Sequence, residues 1–225
     1  MNNGVIAMFV KTPGLSPVKT RLAAHIGQSQ AEQFYRLAIA ASHDVITAFT
    51  RQHPVQAMYA VAEHAAMAHP LWQALPCIWQ GEGGLGERMS RVYRQLLIHH
   101  DFVILVGSDI PQMQETHLQQ AVIALHDYPM ALAPSLDGGF WLFAGRCELP
   151  DSIWTQVAYS QPDTAAQFAE QLTLYGAIKI LHALQDVDTV EDLEPLTQTL
   201  IACPRRTPAQ QTLLNFLQHI LQANA

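Results

Sequence analysis

The chain has 225 residues, 49% of them hydrophobic and 14% charged, with a formal net charge of −7. That length buries one well-covered core and is short for two full domains, so one domain over residues 1–225 is expected. The negative balance excludes a general nucleic-acid surface, which needs clustered Lys and Arg, and no apolar run approaches the roughly 18 residues of a membrane span.

The start, Met1 to Gly4, lacks the basic stretch of a secretory leader, so a cytoplasmic protein is expected. Cys77, Cys147 and Cys203 are odd in number, far apart and without a Cys-x-x-Cys pair, which argues for reduced thiols. None of the eleven histidines falls into a metal-binding spacing.

In chain order, Gly4 to Val10 reads as a buried strand, followed by a Pro/Gly-rich loop carrying Lys11, Thr12, Pro13, Lys19 and Arg21. Three of the twelve Lys and Arg thus fall within eleven residues. Strand, loop and helix start together predict a phosphate cradle built from exposed amides, a helix dipole and these side chains; a solvated basic loop is the plain alternative. Ser16 reads as an N-cap with Pro17 at the first helical position, and Gly27 closes that helix. Ser29 and Glu32 match a capping box for a scaffold helix to near Thr50. A strand over Val55 to Val61, a short helix over Ala65 to Leu75 and a strand over Cys77 to Gln80 continue the alternation, which predicts a parallel sheet.

Gln80 to Met89 then places four glycines in six residues ahead of a helix whose Leu85, Met89, Val92 and Leu96 share a face. Gly83 and Gly86 are candidates for close backbone approach to a nucleotide, with Arg88 one turn inside the helix. Glycines are also ordinary loop residues. Phe102 to Val106 reads as the central strand, ending in Gly107, Ser108 and Asp109. In open α/β sheets ligands sit beyond the carboxyl ends of strands, so Asp109 and Ser108 belong at the mouth of a site unless Asp109 only caps a turn.

A helix over Thr116 to Leu125 and a strand over Tyr128 to Pro134 follow. Asp137, Gly138 and Gly139 form either a hairpin turn or a substrate-binding turn walled by Phe140 and Trp141. A helix from Pro162 or Asp163 to Tyr175 is stopped by Gly176, and Ile178 to Leu181 is strand-like. Asp186 and Asp188 alternate onto one face with Val187 inward, ahead of a helix started by Thr189 and Asp192. With Asp109 they are candidate ligands of a hard divalent cation, capping being the competing role. Leu213, Leu214, Leu217, Ile220 and Leu221 mark a final amphipathic helix.

Five ordered motifs resemble one family. Lys11-x-Pro13 with Val18-Lys-Thr-Arg-Leu22, then Leu85-Gly-Glu-Arg-Met89, Gly107-Ser-Asp-Ile-Pro111, Asp137-Gly-Gly139 and Asp186-Val-Asp-Thr-x-Glu-Asp-Leu193 stand in the order of DUF2064 proteins. These are glycosyltransferase-A-like proteins of the selenodomain-associated type, similar in turn to molybdenum-cofactor and phospholactate guanylyltransferases. The resemblance implies a nucleotide-diphospho-sugar transferase fold, a Rossmann-like three-layer αβα sandwich with a mostly parallel sheet. It also implies a nucleotide whose phosphates meet Lys11, Lys19 and Arg21, and Mg²⁺ or Mn²⁺ held by Asp109 and Asp188. Ser16, Gly84, Phe140, Trp141 and Tyr159 depart from the family pattern.

These readings converge on a metal-dependent transferase using a nucleoside triphosphate or nucleotide sugar and a small-molecule acceptor. Lys19, Arg21 and Asp109 are its expected catalytic residues, and Ser108, Asp137, Gly138 and Gly139 its substrate contacts. Nucleotidyl transfer is slightly favoured over glycosyl transfer, because the loop after the first strand would wrap a triphosphate. The rival is a nucleotide-binding regulatory module that kept the fold without turnover.

Overall fold

The computed structural model describes residues 3–223. Seven strands form one sheet: β1 (Gly4–Val10), β2 (Val55–Val61), β3 (Cys77–Trp79), β4 (Phe102–Val106), β5 (Met130–Pro134), β6 (Phe140–Gly145) and β7 (Ile178–Ile180), in the order β3-β2-β1-β4-β6-β5-β7. All neighbours pair in parallel except β6, which runs antiparallel to β4 and β5. The helices are α1 (Thr20–Ile26), α2 (Gln28–Thr50), α3 (Leu85–Leu97), α4 (Glu115–Asp127), α5 (Asp151–Thr155), α6 (Thr164–Thr173), α7 (Leu193–Ala202) and α8 (Pro208–Ala223).

Both faces of the sheet are covered, which is why the central strands read as unbroken apolar runs rather than alternating ones. On one face Ile6, Ile104 and Val106 pack with Val45, Phe49 and Leu118 of α2 and α4. On the other Val5, Val103 and Phe143 pack with Val92, Trp154 and Phe168 of α3, α5 and α6. All five side chains of β4 are buried; at about 1.5–3 kcal/mol for each large apolar side chain, no exposed placement of this segment competes. A third cluster joins α1, α2, α7 and α8 through Leu22, Phe34, Leu196, Leu213 and Leu217. This is the expected three-layer αβα sandwich with a mostly parallel sheet. No helix among the described residues is long and apolar enough to cross a membrane, and Cys77, Cys147 and Cys203 are free thiols.

Several boundaries differ from expectation, each for a local reason. Helix α1 begins at Thr20, not at Pro17, because Lys19 takes a left-handed backbone (φ 47°, ψ 42°) that cannot continue a right-handed helix. At α2 the capping box does not form; Gly27 precedes the helix, and the Glu32 carboxylate accepts from the Gln28 amide one turn back. The helix expected over Ala65 to Leu75 is two 3-10 turns, His64–Ala66 and Pro70–Trp72. Pro70 accounts for the break: it lacks an amide proton and forces His69 into extended backbone. Asp137 to Gly139 is a hairpin turn, since β5 and β6 pair antiparallel across it. Thr189 and Asp192 do form a capping box, ahead of α7.

Candidate functional site

The strand order reverses direction at β1, which has β2 on one side and β4 on the other. A crevice therefore opens beyond the carboxyl ends of β1 and β4, where α/β sheets bind ligands. At the end of β4 the Gly107 amide still donates to the Trp141 carbonyl (2.9 Å), and the chain then leaves the sheet, placing Ser108 and Asp109 at the crevice. The cleft measures about 610 Å³ and is lined by Lys11, Lys19, Arg21, Arg88, Ser108, Asp109, Asp137, Gly139, Asp186 and Asp188, residues drawn from five separate motifs.

Its centre is an ion cluster. Lys19 Nζ lies 2.8 Å from Asp109 Oδ1 and 3.1 Å from Asp188 Oδ1, and it also donates to the Val187 carbonyl. The Lys19 side chain is 3% exposed, whereas its carboxylate partners are 39% and 44% exposed. Burial alone would lower the pKa of this ammonium; Asp109 and Asp188 outweigh it and hold Lys19 above its usual 10.5. Arg21 Nη1 stands 3.8 Å from Asp188 Oδ2 and is mostly in solvent. Burial pushes Asp186 up to about 7, against the Ser135 hydroxyl beside it and with help from Asp137 and Asp109.

Four amides of the first loop are used within the protein and are not offered to a ligand. Lys11 N–H donates to the Tyr35 hydroxyl (2.9 Å) and Thr12 N–H to Glu63 Oε2 (3.0 Å). Leu15 and Ser16 N–H both donate to the Thr12 carbonyl. Thr12 is fully buried, its hydroxyl accepting from Trp72 Nε1 (3.0 Å), and neither it nor buried Pro13 lines the cleft. The loop and the start of α1 bring Lys11, Lys19, Thr20 and Arg21 to the cleft.

Two glycines have structural explanations. A Cβ on Gly86 would lie 2.2 Å from the Trp154 carbonyl oxygen, so α3 approaches α5 only because this position has no side chain. Gly138 has φ +93°, and its Cβ would meet the Pro162 carbonyl at 1.8 Å. Gly83, Gly86 and Gly138 do not line the cleft; Gly83 instead accepts from Arg88 Nε (2.8 Å). Asp137 both builds the turn, its Oδ1 accepting from the Gly139 amide (3.0 Å), and faces the cleft.

The sequence model of a family described as uncharacterized proteins conserved in bacteria, DUF2064, matches residues 26–161. The chain belongs to the DUF2064 family. The match covers Arg88, Asp109 and Asp137, while Lys19 and Asp188 lie outside it. Likeness over the whole length comes from a protein of Desulfovibrio desulfuricans G20, provisionally named a nucleotide-diphospho-sugar transferase. It shares 26% identity and a TM-score of 0.85, over 99% of this chain and 98% of that one. A 4-diphosphocytidyl-2C-methyl-D-erythritol synthase of Anaerococcus prevotii (TM-score 0.57, 10% identity, 85% and 95% covered) shares the fold. So does a cytidylyltransferase of Leptospira borgpetersenii (0.52, 12%, 100% and 95%). No curated protein matches the sequence.

In this DUF2064 chain the three expected metal ligands do not form one cluster. Among the described residues no three His, Cys, Asp or Glu side chains converge to hold a metal by themselves. Asp109 and Asp188 share one point, the position of Lys19 Nζ, while Asp186 makes no ion pair there and feels Ser135, Asp137, Asp109 and Lys19 around it. Two carboxylates and a carbonyl around one cationic point still suit a hard divalent ion, which takes its remaining ligands from phosphate and water. Tyr35 and Gln80 also line the cleft and were not singled out in the sequence. Tyr35 sits at a helical core spacing, and nothing local distinguishes a hydroxyl that brackets Lys11 from a packed ring. Gln80 is 4% exposed and ties its amide nitrogen to the Val10 and Ala60 carbonyls, a role set by neighbouring strands.

Proposed function

We propose that this DUF2064 protein is a metal-dependent transferase acting on an activated nucleotide, nucleotidyl transfer being favoured over glycosyl transfer. The observation that carries the reading is the balanced cleft at the β1/β4 switch point. Four cations (Lys11, Lys19, Arg21, Arg88) and four carboxylates (Asp109, Asp137, Asp186, Asp188) line it. A bare polyphosphate meets carboxylates as well as cations there, whereas a metal-bound one offers a partner to both.

Asp109 and Asp188 would hold the divalent cation, which neutralises charge at the pyrophosphate when bound. Lys11 and Arg21, both exposed at the mouth, bind phosphate oxygens, and Arg88 does so from one turn inside α3. In nucleotidyl transfer an acceptor oxygen bonds to the α-phosphorus while the bond to the bridging oxygen breaks and pyrophosphate leaves. Lys19 and Arg21 stabilise the charge that builds on that leaving group. Asp137 and Ser108 orient the acceptor. Positioning and electrostatics suffice for such chemistry, so no nucleophilic side chain is required. The transferase fold shared with the Desulfovibrio protein supports this assignment.

The test is a thermal-shift screen of wild type and Asp109→Ala against nucleoside triphosphates and nucleotide sugars, with and without Mg²⁺ or Mn²⁺. A ligand at a hundredfold over its Kd stabilises by about 2.7 kcal/mol. A metal-dependent rise for one nucleotide, absent in Asp109→Ala, is the expected result; no rise with any nucleotide sinks the proposal. Product analysis then separates pyrophosphate release from nucleoside diphosphate release. Binding without product across acceptors would favour a regulatory module.

A further inference from the structure

The Asp109–Asp188 pair is already occupied by a cation, and that cation belongs to the chain. Lys19 Nζ touches Asp109 Oδ1, Asp188 Oδ1 and the Val187 carbonyl, and its side chain is almost wholly buried behind them. All three side chains line the cleft, the two carboxylates partly exposed and the lysine almost wholly covered. We infer that Lys19 is a resident counter-ion that competes with a divalent metal for these oxygens and leaves them when the metal enters.

Three features carry this. First, the donor atoms are shared. Ammonium-to-oxygen contacts are 2.8 and 3.1 Å here, while Mg²⁺ holds oxygens at about 2.0–2.1 Å, so both cations cannot sit at one point between the same two atoms. Second, Lys19 is held under backbone strain. Left-handed φ and ψ are unfavourable for a non-glycine residue, and the three contacts of the ammonium accompany them here. Third, the residue immediately precedes α1. Once released it can take right-handed backbone as an added first residue of that helix, and its side chain then points into a cleft where phosphate is the available anion.

The consequence is ordered binding. Without metal, Lys19 offsets part of the charge of two carboxylates that would otherwise repel a nucleotide; with metal, the same ammonium is freed for the phosphates. The identity of that anion rests on the transferase reading, while the exchange itself does not.

The exchange is read without turnover by titrating Mn²⁺ into the full chain in the absence of nucleotide, following free Mn²⁺ by electron paramagnetic resonance. Competition lowers apparent affinity by the fraction of protein whose site is open. Lys19→Met is therefore expected to bind one Mn²⁺ at least about tenfold more tightly than wild type, a gain abolished in Lys19→Met with Asp109→Asn. Equal affinity in wild type and Lys19→Met overturns the inference. Should Lys19→Met not fold, reductive methylation of wild type gives a second reading, because the chain contains three lysines, Lys11, Lys19 and Lys179. Mn²⁺ is expected to speed labelling of Lys19 relative to the other two; an unchanged ratio overturns the inference. Mn²⁺ exchange without any nucleotide shift would leave this inference standing and remove the transferase, and a nucleotide shift without Mn²⁺ exchange would do the reverse.

Discussion

The Val187 amide donates to the Asp109 carbonyl across 3.3 Å, joining the end of β4 to a segment 78 residues further along the chain. Gln112 strengthens the seam, its amide nitrogen donating to the Gln185 carbonyl at 2.7 Å. Asp109 and Asp188 therefore hold their spacing through backbone, before any ligand arrives. Fully buried Gln210 of α8 supports the same loop, donating to the Pro111 and Met113 carbonyls (2.9 Å each) and accepting from Thr207 N–H. Gln210→Leu strands those groups at about 1–3 kcal/mol apiece, so a stability loss of at least about 2 kcal/mol in urea unfolding is expected. Nucleotide-dependent stabilisation should weaken with it, although Gln210 is not among the cleft-lining residues.

Tyr35 brackets Lys11 with both ends of one hydroxyl, accepting from its amide and donating to its carbonyl at 3.1 Å. Burial pushes this phenol above its usual 10, so it stays protonated and keeps the donor. Tyr35→Phe preserves the packed ring and removes only the oxygen. The expected cost is about 1–3 kcal/mol of stability, with a rise in nucleotide Kd because the phosphate loop is no longer fixed at its first residue. Unchanged nucleotide binding would assign Tyr35 to stability alone.

Gly86 and Gly84 differ in the room around them. Gly86→Ala drives a Cβ against backbone and is expected to lower stability by about 1–3 kcal/mol. At Gly84, with φ −73° and nothing nearer than 3.8 Å, alanine is expected to be neutral or slightly stabilising. Comparing thermal midpoints of the two variants checks this; a loss at Gly84→Ala matching that at Gly86→Ala would contradict it.

His117 sets an acid limit on stability. Its Nδ1 accepts from the Gln114 amide (3.0 Å), a bond that needs the neutral ring. Burial, with His182 stacked at 6.0 Å between centroids, holds His117 below its usual 6.5, and burial lowers His43 as well. The unfolded chain therefore takes up these protons first as pH falls. Their contribution is complete above about pH 6.5 and is lost as pH falls below it. Urea midpoints between pH 8 and pH 5.5 should decline on the acid side, and less steeply in His117→Gln.

The amino-acid sequence by itself determined the alternation of strands and helices, the burial of Val5 to Met8 and Phe102 to Val106, and the positions of the charged turns. Those depend on local chemistry: apolar runs need cover on both faces, and Pro, Gly and Asp mark where the chain must turn. Most of the residues named for the cleft were also legible from turns at strand ends, and ten of the named contacts do line it. The tertiary structure alone decided their partners. Nothing near Lys19 in the sequence announces Asp188, 169 residues away, or the left-handed backbone that lets the two meet. Likewise Gly86 reads as a ligand glycine until Trp154 is seen against it, and Thr12 as a phosphate contact until Trp72 and Glu63 use its hydroxyl and amide. Periodicity reports which face of an element is buried; which distant atom completes a charge or a hydrogen bond is fixed only when the sheet assembles.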